Sequence, residues 1–263
     1  MPDFLEVMEY LLAGIVAGGI NTLAGGGAVV SLSLMLFLGV PADIANGTNR
    51  LGILVQNFTG TLTFARSGLL DWKAALPLVL ITVFGAIAGA YVATIVEVDS
   101  LEKIVGGVML ILLVVMIWRS TRKKKPQFGN QIKMTPALFL VMLGTGFYGG
   151  FVQAGAGLII IVALSSLARL SLIRSNAIKM AIIFGYSIPA IAIFIWKGQI
   201  DWILAALLAI GQVIGTLLVG KYFANNPKAN AYVRVLLYVM IGLTVLKTFG
   251  VFNWLSTIIF KSA

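Results

Sequence analysis

GGINTLAGGGAVVSLSL, residues Gly18–Leu34, decides how this chain folds. It lies inside Tyr10–Ala42, a run of 33 residues without a charge, yet it holds five glycines, an asparagine and a threonine. As one straight helix the run would be roughly 50 Å long, well beyond a hydrocarbon core of about 30 Å. Glycine also weakens a helix, because its unfolded backbone has more freedom to lose. The stretch therefore predicts two shorter helices that meet at the glycines.

The rest of the chain places that break in a membrane. Of 263 residues, 60% are hydrophobic and 11% charged, against about a quarter charged in soluble domains, and the mean hydropathy is +1.03. The charge-free runs Ala74–Val96 and Trp202–Gly220 are 23 and 19 residues long, each enough for a helix to cross a bilayer. They are continuously apolar rather than alternating, which predicts an all-α integral membrane protein and not a barrel. The N-terminal MPDFLEVMEY has no basic region, so no cleavable signal peptide is expected. With no Cys and no His, disulfides, thiol chemistry, histidine acid/base work and histidine metal sites are excluded. The net charge of +10 has its densest cluster in RSTRKKKP, Arg119–Pro126, directly after an apolar run. Juxtamembrane basic residues set topology, so the cluster reads as a cytoplasmic linker rather than a nucleic-acid site.

The chain also repeats itself. GLLDW at Gly68–Trp72 recurs as GQIDW at Gly198–Trp202, an offset of 130 residues. The same offset carries Asn46 onto Asn176, Gly85 onto Gly215, and AGGG at Ala24–Gly27 onto AGAG at Ala154–Gly157. Two repeats follow, 1–118 and 134–263, joined by the basic linker 119–133. Met134–Ala168, 35 residues without a charge, is the second broken stretch. Five segments per repeat is an odd number, so the repeats are expected to be inverted in the membrane. Ten spans place Arg66, Lys73, Arg169, Arg174, Lys221 and Lys228 on the linker's side and the acidic Glu97 and Asp99 opposite, as the positive-inside rule asks. Lys197 and Lys261 are exceptions, and eight spans, four per half, are the alternative.

Inverted repeats with helices broken at the midplane describe many secondary transporters, whose half-helix N-termini face the cargo. Such termini offer unpaired N–H groups and a partial positive charge, which suit an anion. Gly25, Gly26, Gly27, Gly155 and Gly157 are the expected backbone donors. For a lone glycine, close packing of membrane helices is the better reading; a triple with a matched partner favours the break. The next segment carries a polar stripe, Asn46, Asn49, Ile53 and Asn57, on one helix face, with Asn176, Lys179, Ile183 and Ser187 as its repeat equivalents. Ionisable groups within a span are functional hypotheses by default. Arg50 and Lys179 are therefore the candidate positive charges, set against snorkelling to the interface. Asn21, Gln56, Gln153 and Gln212 are candidate neutral donors, with interhelical hydrogen bonding the competing role. Asp71 and Asp201 are expected to cap helices, and Trp72 and Trp202 to lie in the aromatic belt. No carboxylate stands clearly in mid-span.

Four stretches carry a resemblance: AGIVAGGINTLAGGGAVVSLSLML (Ala13–Leu36), VPADIANGTNRL (Val40–Leu51), SGLLDW (Ser67–Trp72) and GFYGGFVQAGAGLIII (Gly146–Ile161). Together they make the chain similar to the TauE/SafE family of sulfite exporter-like permeases. The resemblance implies a secondary transporter in the cell inner membrane, exporting a small sulfur-containing or organic anion such as sulfite, a sulfonate or sulfoacetate. With no His, no Cys and no paired mid-span carboxylate, no enzyme and no cofactor are expected, and the expected partners are a small anion and the lipid bilayer. Coupling to a proton or another ion, and self-association, stay open. An anion channel using the same charges is the alternative, followed by a membrane-embedded enzyme.

Overall fold

The computed structural model describes residues 4–24, 27–120, 132, 134–222, 239, 242 and 246. Among them the chain is all helical. The order is α1 (Phe4–Ala24), α2 (Gly27–Phe37), α3 (Ala42–Arg66), α4 (Trp72–Ile95) and α5 (Val98–Ser120). After the linker come α6 (Pro136–Phe151), α7 (Ala156–Ser166), α8 (Leu172–Trp196) and α9 (Trp202–Tyr222). Gly25 and Gly26, most of the linker and most of the expected last segment, 232–250, lie outside the described residues.

Both breaks fall where the glycines predict. Each separates a longer helix from one of 11 residues, α2 and α7, about 16 Å in length or half the apolar core. Helix starts recur at the 130-residue offset: α3 and α8 begin at Ala42 and Leu172, α4 and α9 at Trp72 and Trp202. Phe4–Thr22, Trp72–Ile95, Leu172–Trp196 and Trp202–Val219 are long and apolar enough to cross a membrane. The outward surface suits lipid, with Leu12, Phe84, Ile95, Trp196 and Leu217 exposed. The molecule is a multi-pass membrane protein.

The repeated G-x-x-D-W motif ends one helix and starts the next. Gly68 and Gly198 take φ of +68° and +69°, the left-handed conformation that closes α3 and α8 at little cost in glycine. Asp71 Oδ1 then accepts from Lys73 N and Ala74 N at 3.0 and 3.3 Å. Asp201 Oδ1 does the same for Ile203 N and Leu204 N, both at 3.0 Å. These are helix caps, as the sequence predicts.

Packing pairs helices from opposite sides of the linker: α1 lies along α9, and α6 along α4. Glycines four residues apart make both crossings. A Cβ on Gly14 or Gly18 would strike the backbone of α9, and one on Gly211 or Gly215 the backbone of α1. In the same way a Cβ on Gly85 or Gly89 would strike the backbone of α6, and one on Gly146 or Gly150 the backbone of α4. Lipid tails are as apolar as the side chains, so helices associate here by close backbone approach. Between these pairs, α3 and α8 cross antiparallel: Gly47 lies against Phe194 and Gly60 against Met180. Ile53, Ile178, Ile182, Ile183 and Tyr186 form part of the core at that crossing.

Candidate site at the α6/α7 break

The break between α6 and α7 is built by five residues. Val152 N and Gln153 N donate back to the Tyr148 carbonyl at 2.9 and 3.3 Å. Gln153 and Gly155 then take positive φ, +64° and +74°, which reverses the chain into α7. The Tyr148 hydroxyl donates to the Ala154 carbonyl and braces the turn. A glutamine in the left-handed region is uncommon, and such backbone concentrates at functional sites.

The last carbonyls of α6 point at α3. They form the negative end of a helix, with acceptors that have no partner inside it. Arg50 supplies the donors. Its Nη1 donates to Gly149 O at 3.0 Å, and its Nη2 to Gly150 O at 2.5 Å and Phe151 O at 3.2 Å. Nη2 also reaches Asn46 Oδ1 at 3.2 Å, while Asn46 Nδ2 donates to Phe151 O at 2.6 Å. The guanidinium carbon sits 4.4 Å from the centre of the Phe194 ring. Arg50 is fully buried, so it does not snorkel. Much of its hydrogen bonding is spent on the helix end, and Nε is left without a partner.

Around this clamp stand two residues of α8. Gln153 Nε2 lies 3.1 Å from Ser187 Oγ. The Tyr186 ring and hydroxyl lie within 2.9 Å of where a Gly149 Cβ would stand, so only glycine fits there. The Tyr186 hydroxyl and Gln153 Oε1 are buried without partners. Tyr186 is missing from the sequence-based site. The signal for it was present, since the repeat offset places Tyr186 on Gln56, itself read as a polar candidate.

The other predicted residues divide into groups. Gly155 makes the turn and Gly157 the first turn of α7. Ala156 N is bonded to Gln153 O, and Leu158 N and Ile159 N to Gly155 O, so of these first N–H groups Gly157 is the one left to face a ligand. Gly27 packs α2 on α1, because a Cβ there would meet Ala17 O and Asn21 Cβ. Asn49 joins α3 to α2, taking 2.5 Å from Ser31 Oγ and giving 3.1 Å to Ala28 O. Asn21 donates to Gln56 Oε1 at 2.7 Å, and Gln56 Nε2 to Gly18 O and Thr216 Oγ1 at 3.0 and 2.7 Å. The interhelical reading therefore holds for Asn21 and Gln56. Asn57 Nδ2 donates to Ile53 O at 2.7 Å and its Oδ1 is unpartnered. Gln212 is buried with both amide atoms unpartnered. Asn176 is half-buried early in α8. Lys179, one turn on, is fully buried and its Nζ has no partner. The structure thus brings Asn46, Arg50 and Gln153 together at one break and sets Asn49 and Gly27 at the other.

Two sorts of comparison place the chain among known proteins. It is 29% identical to a probable membrane transporter protein, ORF9, of Sinorhizobium sp., over 89% of each chain. It is 26% identical to a probable membrane transporter protein of Haemophilus influenzae, over 86% of this chain and 88% of that one. For the probable membrane transporter protein YfcA of Escherichia coli the identity is 23%, over 81% and 78%. No solved structure matches. The sulfite exporter TauE/SafE model matches residues 10–248, and the chain belongs to that family of membrane transporters.

Proposed function

We propose that this protein is a secondary transporter that exports a small sulfur-containing or organic anion, such as sulfite, a sulfonate or sulfoacetate, by alternating access around the α6/α7 break. One observation carries the reading: among the described residues the wholly buried charged side chains are Arg50 and Lys179, while the half-buried Asp43, with one buried carboxylate oxygen, stands in the first turn of α3, about two turns before Arg50. Charge of one sign in a low-dielectric interior needs compensation. An anion supplies it. Arg50 Nε, the Gly157 N–H, Gln153 and Tyr186 offer hydrogen bonds at the break, Asn46 holds Arg50 in place, and Lys179 adds positive potential from α8. Asn49, Asn57 and Asn176 complete the polar face of the two central helices, and Gly25–Gly27 the second break.

The antiparallel crossing of α3 and α8 and the exchanged partners of α1 and α6 support inverted repeats. Arg66 and Lys73, Arg169 and Arg174, and the 119–133 linker then face the cytoplasm of a cell whose inner membrane holds the protein. Transport is tested with labelled sulfite and a panel of sulfonates in proteoliposomes. Saturable uptake with counterflow is expected. Single-channel currents without counterflow would establish a channel instead, and absence of binding and flux for every anion would overturn the reading.

A further inference from the structure

The turn between α8 and α9 is fastened to the start of α3. Asp201 N donates to Thr48 Oγ1 at 2.9 Å, and Gln199 Nε2 lies 3.3 Å from Asp43 Oδ2. Gly47 lets the turn come this close, since a Cβ there would strike the Gln199 carbonyl. One part of the fastening is incomplete. Asp43 Oδ1 and Gln199 Oε1 are both buried without a hydrogen-bond partner, and they belong to the two groups that the 3.3 Å contact holds together. An ionised carboxylate and an amide oxygen only accept, so neither serves the other. Turning the amide round does not help: Oε1 would then face Oδ2 across the same 3.3 Å, acceptor against acceptor. In either orientation the pair lacks one hydrogen.

A proton on Asp43 supplies it. The acid O–H then donates to Gln199 Oε1 while Gln199 Nε2 donates to the other Asp43 oxygen, and acid and amide close on each other with two bonds. We propose that Asp43 and Gln199 form a proton-binding latch: proton uptake by Asp43 locks the α8/α9 turn on α3, and loss of the proton releases it. This rests on the transport reading and deepens it by naming the proton as the coupling ion. Asp43, Asn46 and Arg50 follow i, i+3, i+7 along one face of α3, so latch and clamp are carried by a single helix. The 130-residue offset puts Ile173 at the place of Asp43, Ile178 at that of Thr48 and Leu69 at that of Gln199. The equivalent turn before α4 therefore has no acid–amide pair, and the latch stands at one end of the molecule only. Residues of α1 and α5 share a core cluster with Ala42 and Ala45 at this end. The charged groups near it are Glu6 and Glu9 of α1, Asp99, Glu102 and Lys103 of α5, and Lys197 and Asp201 of the turn. Asp201 caps α9, and Lys197 Nζ lies 4.8 and 5.8 Å from the Trp196 and Tyr91 rings. Carboxylates outnumber ammonium groups here, which gathers protons at this end.

Two measurements test the latch. Infrared difference spectra of the full-length protein in nanodiscs, taken between mildly acidic and mildly alkaline buffer, should contain the carbonyl stretch of a protonated carboxyl. That band should vanish in Asp43→Asn and shift in Gln199→Leu, so either variant alone decides the assignment if the other does not fold. In proteoliposomes the probe is labelled ethanesulfonate, whose own charge does not change between these buffers. An imposed proton gradient should change its uptake by at least about fivefold in wild type and by less than about twofold in Asp43→Asn. Identical spectra for wild type and both variants overturn the inference. A gradient response that survives in both variants, or a response to a sodium gradient alone, overturns the coupling role. A titrating Asp43 band with no flux of sulfite or any sulfonate overturns the transport reading and leaves the latch standing.

Discussion

Arg50→Met gives half one the residue that half two already carries at the equivalent position, Met180. The side chain keeps similar length and loses its charge. Four contacts go with it: the carbonyls of Gly149, Gly150 and Phe151, and Asn46 Oδ1. Hydrogen bonds from a charged donor contribute about 1.5–3 kcal/mol each, but bonds made by one group act as a unit and do not add. Leaving the three helix-end carbonyls without a donor costs about 1–3 kcal/mol each, about 3 kcal/mol at the lower end, and loss of the contact with Phe194 adds up to about 2 kcal/mol. A cost near the lower figure corresponds to a fall in Tm of roughly 10 °C for a chain of this size. The assay is thermal unfolding in detergent, followed by size-exclusion recovery. Asn46→Ala supplies the control, because Asn46 and Arg50 share the Phe151 carbonyl. The double variant should lose less than the sum of the singles. A Tm within about 2 °C of wild type for Arg50→Met would refute the clamp, since the carbonyls would then be satisfied without it.

Lys179→Gln should do the opposite to stability. Removing a buried ammonium that has no partner raises Tm or leaves it unchanged, while anion affinity falls by about tenfold or more; a lower Tm would show that the ammonium is tied into the structure. Gly215→Val forces a side chain into the Ile15 backbone and should cost at least about 2 kcal/mol, read as loss of monodisperse protein. Gly68→Ala, with open space around it but φ of +68°, should cost only about 1 kcal/mol by the same thermal assay. Asp71→Ala and Asp201→Ala should each lower stability by about 1 kcal/mol and leave the KM for the transported anion where it was; a changed KM would give these caps a part in transport.

Local chemistry was legible in the sequence wherever one short segment contained the whole interaction. The glycine runs marked both breaks, and Gly68 with Asp71, like Gly198 with Asp201, marked a helix end and the next cap. The role of Arg50 was not legible, because its acceptors are main-chain carbonyls about 100 residues away, and carbonyls leave no trace in residue identity. The same distance hid the glycine crossings. Gly14 and Gly211 read as ordinary small residues until α1 is laid on α9. For the donor glycines, the prediction of several free N–H groups on α7 narrows to Gly157, since the tight turn bonds its own first amides. Gln56 and Tyr186 show the limit of repeat symmetry: one is fully bonded and the other free, though they hold the same place.

The pairing of helices across the linker sets a timetable for biosynthesis. α1 leaves the ribosome first, yet the glycine face that it docks on belongs to α9, with Gly211 nearly 200 residues after Gly14. At about 5–20 residues per second, α1 waits roughly 10–40 s in the bilayer without its partner. During that interval its notched face is open to any other helix with small residues, including the α1 of a neighbouring nascent chain. Neither side of the linker can complete its own packing, so a chain split in the linker should yield two fragments that mature only when made together.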